Sequence, residues 1–411
     1  MDKNNGAIYD ARKLGKPKMI ILGIQHMFAM FGATILVPIL TGLDISTTLL
    51  MAGLGTLLFH CITKFKVPAF LGSSFAFLGG YAAIKAFSPN DPNSMLPYAC
   101  LGVACAGLIY FILAAVIKAV GIEKVMRFFP PVVTGPIIIA IGLGLAPSAV
   151  SNCTTNWFLA VVALAVIVVF NIWGKGMAKI IPIILGLLIS YGTGLVLYFI
   201  SQANPDLIQN VPWLFAGGAD ANGVYQPIFD FTSLNTICDN ISKGHIFGSE
   251  GLIGIPIHWD KTVFGGIDYS NGALIASSII AIVPIAFATM MEHIGDICAI
   301  SSTTGNNYIK DPGLHRTLVG DGLATTLASL FGGPANTTYG ENTGVLALTR
   351  VYDPRVIRIA AYFAVAVSFF PIVSVIIGSI PSCIIGGISF VLYGMISAIG
   401  VRNVVENKVD F

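Results

Sequence analysis

The stretch that decides the fold runs from Ile285 to Val345. It carries Met290-Met291-Glu292-His293-Ile294-Gly295-Asp296 within a hydrophobic run. It closes with Asn336-Thr337-Thr338-Tyr339-Gly340-Glu341-Asn342-Thr343-Gly344, a Gly/Thr-rich break. Two carboxylates in one apolar span and a third beside a break do not belong on a lipid-facing helix, where each costs about 2.5–3.5 kcal/mol at mid-span. Their most economical explanation is a polar site buried inside a membrane protein.

The rest of the chain fits that explanation. It is 55% hydrophobic and only 10% charged, with mean hydropathy +0.83, against about 25% charged residues in a soluble domain. Apolar runs of about 20 residues recur, enough to cross a bilayer. Forty-five Gly and 21 Pro suit close helix contacts and broken membrane helices. A net charge of +2 gives no reason to expect a nucleic-acid partner, and seven scattered cysteines without CxxC spacing suggest no metal site, disulfide framework or cofactor. The first 18 residues hold Lys3, Arg12, Lys13, Lys16 and Lys18 without a cleavage-like signal, and read as a cytoplasmic tail.

Spans are expected at about 18–42, 46–63, 67–87, 95–120, 126–150, 155–173 and 177–200. After a polar region they follow at about 272–297, 313–332, 336–349, 355–380 and 382–401. With twelve segments, 19 of the 22 Lys and Arg fall on one side; only Lys85, Lys243 and Lys261 fall on the other. Positive charge collects in cytoplasmic loops, so both termini are expected inside. Residues 201–270 are Gly- and Asn-rich and hold seven of the 20 acids, as expected of an outside connector or cap. Within it, 224–231 and 253–259 are candidate short strands or interfacial turns.

Two interrupted segments resemble one another. Lys66-Val67-Pro68-Ala69-Phe70-Leu71-Gly72-Ser73-Ser74-Phe75-Ala76-Phe77 reads as an extended stretch leading into a helix, with Gly72-Ser73-Ser74 offering the N-cap. Gly332-Gly333-Pro334-Ala335-Asn336-Thr337-Thr338-Tyr339-Gly340 follows the same logic. One such stretch in each half points to an all-α polytopic transporter of inverted repeats, with two short strands and broken helices at the membrane midplane. Each helix start would present backbone N–H groups to a ligand. His26 and Gln25 are expected to bond to broken-helix backbone, His293 to be structural, and His315-Arg316 to anchor a loop.

Gln25-His26-Met27-Phe28-Ala29-Met30-Phe31-Gly32-Ala33-Thr34, Pro68 to Phe77, Glu292 to Asp296, Asp311-Pro312-Gly313-Leu314-His315-Arg316 and Asn336 to Gly344 together resemble the nucleobase–ascorbate transporter (nucleobase:cation symporter) family, in order and along nearly the whole chain. The likeness is greatest to its bacterial uracil permeases, through Thr337-Thr338-Tyr339-Gly340-Glu341-Asn342; purine permeases of the family usually have Gln at Glu341. The resemblance implies fourteen segments, of which about twelve are present here, the gate lacking its last two. It implies a tail at 1–17, core at 18–125 and 271–380, gate at 126–200 and 381–411, and an outside loop or cap at 201–270. It implies that Glu292 and Glu341 bind the nucleobase, helped by backbone at Phe75 and Gly340, with Ala33 and Tyr339 lining the pocket. Asp296 stands where some members have His. A homodimer is implied as well.

Uracil alternates N–H donors and carbonyl acceptors around a flat ring. Glu341 is assigned to accept from a ring N–H, and Glu292 to accept from another or, protonated, to donate to a carbonyl. Glu292 and Asp296 lie four apart on one helix face and supply the carboxyls on which a co-transported proton can sit. The expected function is import of uracil with a proton across the cytoplasmic membrane by a multi-pass protein in the lipid bilayer. Alternatives are a xanthine or other purine permease, an anion exchanger of similar fold, a channel, or an intramembrane hydrolase. No HExxH run or nucleophile elbow favours the hydrolase.

Overall fold

The computed structural model describes residues 7–121, 124 and 131–406. In chain order the main elements begin with α1 (Lys16–Thr41), α2 (Ile45–Ile62), β1 (Leu71–Ser73), α3 (Leu78–Lys85) and α4 (Leu96–Val120). They continue with α5 (Pro131–Cys153), α6 (Trp157–Trp173), α7 (Pro182–Ala203), β2 (Ala216–Ala219), β3 (Tyr225–Pro227) and α8 (Thr232–Ser242). The last part holds α9 (Gly272–Ile282), α10 (Ala286–Thr304), α11 (Leu314–Leu330), β4 (Asn336–Thr338), α12 (Gly340–Thr349), α13 (Pro354–Ser368), α14 (Pro371–Gly378) and α15 (Ser382–Glu406). Among the described residues seven helical stretches are long and apolar enough to cross a membrane. Other expected spans are strand-and-short-helix pairs (β1 with α3, β4 with α12) or fall just below that length, as α6 does.

The chain divides into two units, residues 1–130 with 255–370, and residues 131–254 with 371–411. The first is organised by β1 and β4. They pair antiparallel in the register Leu71 with Thr338, Gly72 with Thr337 and Ser73 with Asn336. Flanking bonds extend the ladder, from Ser74 N to Ala335 O (2.8 Å) and from Tyr339 N to Phe70 O (3.0 Å). Pro68 and Pro334 keep the residues before them out of the helical region, so helix cannot run through either stretch. The strands are clasped by side chains of the neighbouring helices. Thr56 Oγ1 on α2 accepts from Leu71 N (2.9 Å), and Thr325 Oγ1 on α11 donates to Asn336 O (2.7 Å). The Asn336 side chain donates to Met51 O (3.1 Å). α4 and α11 approach to backbone contact at Gly107 and Gly322: a Cβ on either would lie 2.7 Å from the other's carbonyl oxygen. Small residues permit such closeness where lipid supplies no hydrophobic drive.

In the second unit α15 packs against α5, where a Cβ at Gly400 would sit 2.7 Å from Gly135 O. Asn156 caps α6, accepting from Leu159 N (3.0 Å), and its amide holds Ala216 O at the start of β2 (2.9 Å). The polar connector therefore carries structure of its own: the β2–β3 hairpin, with β3 inside the expected 224–231 stretch, and α8.

Two expectations are corrected. Ser73 and Ser74 do not cap α3, which begins at Leu78 after an uncapped turn. Ser73 Oγ instead donates to Thr34 O (3.1 Å), because a buried hydroxyl beside the strand finds a nearer acceptor than the helix start. The expected single span over 355–380 is two helices interrupted at Phe369-Phe370, since Pro371 disfavours helical geometry at the residue before it.

Gly72 is the tightest point of the strand crossing. A Cβ there would stand 2.5 Å from the Tyr339 ring and 2.7 Å from Thr34 Oγ1. Gly72→Ala is expected to destabilise the protein by about 1–3 kcal/mol, read as a lowered unfolding temperature of the purified protein. An unchanged temperature would show that the crossing yields to an added methyl group.

Candidate functional site

Three elements of the first unit supply the site. α10 carries Glu292, His293 and Asp296. β4 runs into Tyr339 and the start of α12, where Gly340 and Glu341 lie. β1 leads through Phe75 to α3. Glu292, Gly295, Gly340 and Gly79 are exposed, and Phe75, Asp296 and Glu341 are half-buried. A Cβ at Gly79, Gly295 or Gly340 would meet nothing within 4 Å, so the starts of α3 and α12 and this face of α10 all open onto unfilled space. α12 begins at an N-cap, Tyr339, whose side chain makes no capping bond.

The carboxyls on this open face come from two elements, Glu292 and Asp296 one turn apart on α10 and Glu341 in the first turn of α12. Glu292 feels the charges of Asp321 and Glu341, and Asp296 feels those of Glu292, Glu341 and Asp321. Asp296 is tied down, its Oδ2 accepting from Thr338 Oγ1 of β4 at 2.8 Å. Glu341 accepts from its own backbone N–H.

A polar layer lies behind the face. His293 Nδ1 sits 3.1 Å from Asp321 Oδ2, and both side chains are fully buried. Thr338 Oγ1 stands 3.5 Å from the same His nitrogen. Phe59 packs edge-on against the imidazole at 6.2 Å between ring centroids. On the other flank, Asn342 in the first turn of α12 donates to His26 O (3.0 Å) and lies 3.2 Å from His26 Nδ1. Tyr339 closes the base: its hydroxyl donates to Ser73 O (2.9 Å) and lies 3.3 Å from Thr34 Oγ1. Tyr339 is 5% exposed and Ala33 1%, so both lie beneath the open face.

All of the expected site residues therefore fall within one unit, with Glu292, Gly340, Glu341, Phe75 and Asp296 reaching the surface. His26 reaches the broken helix through the side chain of Asn342 rather than through backbone, and Gln25 Oε1 finds no hydrogen-bond partner among the described residues. Arg316 Nη1 donates to Ile62 O (3.3 Å), tying the start of α11 to the end of α2. Sequence reasoning passed over Asp321 and Thr338. Asp321 had a readable signal: a lone acid in the apolar run that became α11. Thr338 had none, because which residue of β4 faces α10 depends on the strand register.

Removing one member of a buried pair leaves a polar or charged group without its partner, at a cost of roughly 3–5 kcal/mol. Asp321→Ala is accordingly expected to destabilise the purified protein more than His293→Leu/Asp321→Leu does. Thermal unfolding of the two variants checks this. Equal loss in both would mean that the pair is not coupled.

A sequence profile of the Permease family matches residues 17–410. The chain is 37% identical to a uracil permease of Bacillus caldolyticus over 95% of this chain and 81% of that one. It is 36% identical to a probable uracil permease of Haemophilus influenzae over 97% and 84%. It is 35% identical to the putative pyrimidine permease RutG of Escherichia coli over 99% and 82%. Among solved structures, the transmembrane domain of the cyanobacterial bicarbonate transporter BicA superposes with a TM-score of 0.58 at 13% identity, covering 98% of both chains. SLC26A9 superposes at 0.51 and 11%, covering 95% of this chain and 59% of that one. These neighbours share the inverted-repeat transporter fold. Matched along nearly its whole length, this multi-pass membrane protein belongs to the Permease family and is a transporter, not an enzyme.

Proposed function

We propose that the protein imports uracil together with a proton, holding the pyrimidine between Glu292 and Glu341. The observation that carries this is the pair of accessible carboxyls, Glu292 on α10 and Glu341 in the first turn of α12, beside Gly295 and Gly340 where an added Cβ would meet nothing within 4 Å. Uracil offers N–H donors between carbonyl acceptors. Glu341, as a carboxylate, accepts from one N–H, and Glu292 reads the neighbouring position. Backbone N–H groups at Phe75 and Gly340 complete the set by donating to carbonyls. Tyr339 and Ala33 form the floor. Relatives named uracil permease support uracil over a purine, and so does Glu341 itself. An anion is disfavoured by the clustered acids, although one structural neighbour carries bicarbonate.

The proton sits on Glu292 and exchanges with Asp296, one helical turn away on the same face. One proton crossing the membrane field contributes about 2.3 kcal/mol per 100 mV, which corresponds to roughly 50-fold accumulation of the substrate. In this reading the first unit is the substrate-holding core and the second the gate. The chain lies in the cytoplasmic membrane with its N-terminus inside, because positive charge collects in the loops on that side. A homodimer is part of the proposal carried from the family.

Uptake of labelled uracil into proteoliposomes under an imposed pH gradient tests the reading. External acid is expected to stimulate uptake, and Glu292→Gln to abolish that stimulation. Glu341→Gln is expected to raise KM for uracil by about 5- to 150-fold, the loss that follows when one partner of a desolvated polar contact is removed. Unlabelled uracil should compete and xanthine should not. Stimulation by acid that survives in Glu292→Gln would overturn the coupling assignment; competition by xanthine at equal concentration would overturn the substrate.

A further inference from the structure

The residues ahead of α1 make an unexpected set of contacts. Ile8 bridges to Val351 as a parallel strand pair: Ile8 N donates to Arg350 O, and Tyr352 N donates to Ile8 O, both at 2.8 Å. The Tyr9 hydroxyl donates to Thr304 O at 2.7 Å, and its ring lies 5.5 Å from that of Tyr352. Asp10 accepts from Arg355 Nη1 (3.0 Å), and Ala11 N donates to Asp353 Oδ2 (2.8 Å), the carboxylate that caps α13. Ala11, Val351 and Val356 are buried together, with Ile8, Leu14, Met19 and Leu22 packed round them.

The acceptors are what matter. Thr304 is the last residue of α10 and Arg350 is the C-cap of α12. Both carbonyls lie at helix C-termini, where the last four have no partner within the helix. These are the two helices that carry Glu292 and Glu341. At about 1.5 Å per residue the tied ends lie about 18 Å and about 13.5 Å along the axes from the two carboxyls. A pair of groups reading a planar ring must be held within about 0.5 Å. Near the site α10 is tied to the strand leading into α12 by the bond from Thr338 to Asp296, and the contacts of residues 8–11 fix the same two helices at their other ends.

We infer that residues 8–11 form a clamp that sets the spacing of α10 and α12, and that Tyr9 is a positioning residue for the carboxyl pair. This rests on the site proposed above. The clamp acts from the far end of both helices: it touches no substrate, and it sets how far apart the two carboxyls are held. Asp10 keeps the clamp charged and paired, since the Arg12 guanidinium beside it holds its carboxyl well below the usual carboxylate range.

The test uses the full chain with the other six cysteines replaced and nitroxide labels at Cys298 of α10 and at Leu348→Cys of α12, both exposed positions. Electron–electron double resonance then reads the distance between the two helices without ligand. Tyr9→Ala is expected to broaden the distance distribution, and Tyr9→Phe, which keeps the ring, to broaden it less. In transport, Tyr9→Phe should raise KM for uracil about three- to ten-fold with Vmax nearly unchanged, the ratio expected from one lost hydrogen bond. An unaltered distance distribution in Tyr9→Ala would overturn the clamp. So would a Tyr9→Phe effect confined to Vmax or to the amount of protein in the membrane. Because the distances are read without ligand, a wild-type chain that fails to take up uracil counts against the substrate and leaves the clamp to be judged by the distances alone.

Discussion

Non-helical backbone inside a bilayer has no water to bond to, and every N–H and C=O it exposes costs several kcal/mol. The mutual pairing of β1 and β4 is how this chain meets that constraint. Two three-residue strands from distant parts of the sequence satisfy each other, with Thr56 and Thr325 filling positions that the ladder leaves over. The features of the site follow from this pairing. The strands allow α3 and α12 to begin inside the unit instead of at its edge. They aim Thr338 at Asp296, and they set Tyr339 across Gly72. Glu341 owes its place to being the second residue of a helix that starts there.

The site divides into a fixed layer and a free one. His293 with Asp321, Asn342 with His26, and Tyr339 with Ser73 are buried contacts that hold α10, α11, α12, α1 and β1 in register. In front of them Glu292 and Glu341 stay accessible. A binding site gains from this arrangement, because ordering costs already met in the empty protein are not charged to the ligand. It also explains how His293, Asp321, Asn342, His26 and Tyr339 are tolerated in these segments: each is bonded to an element other than its own.

Much of this was legible in the sequence. Pro68 with Gly72, and Gly332-Gly333-Pro334 with the β-branched Thr337 and Thr338, marked both breaks, since backbone preference and chain chemistry act locally. Glu292 and Glu341 stood out because acids are conspicuous in an apolar background. What stayed hidden depended on contacts between distant segments. Ser73 looked like a helix cap and became a donor to Thr34. His293 could be called structural, but its partner Asp321 lies on another helix and no local pattern joins the two. The break at Phe369-Phe370 was written in Pro371, yet apolar residues on both sides disguised it. The bonds made by Ile8 and Tyr9 follow no motif at all.

The strand pairing has a consequence for how the protein is made. Leu71 to Ser73 leave the ribosome more than 260 residues before Asn336 to Thr338, their only ladder partners among the described residues. Until the later segment is synthesised, the earlier strand has no ladder to complete it. During biogenesis the residues around β1 must therefore wait in the insertion machinery, at the bilayer surface, or around trapped water, while α1, α2 and α4 are each long and apolar enough to enter the bilayer on their own. Closure of the strand pair is accordingly a late event that the second half completes.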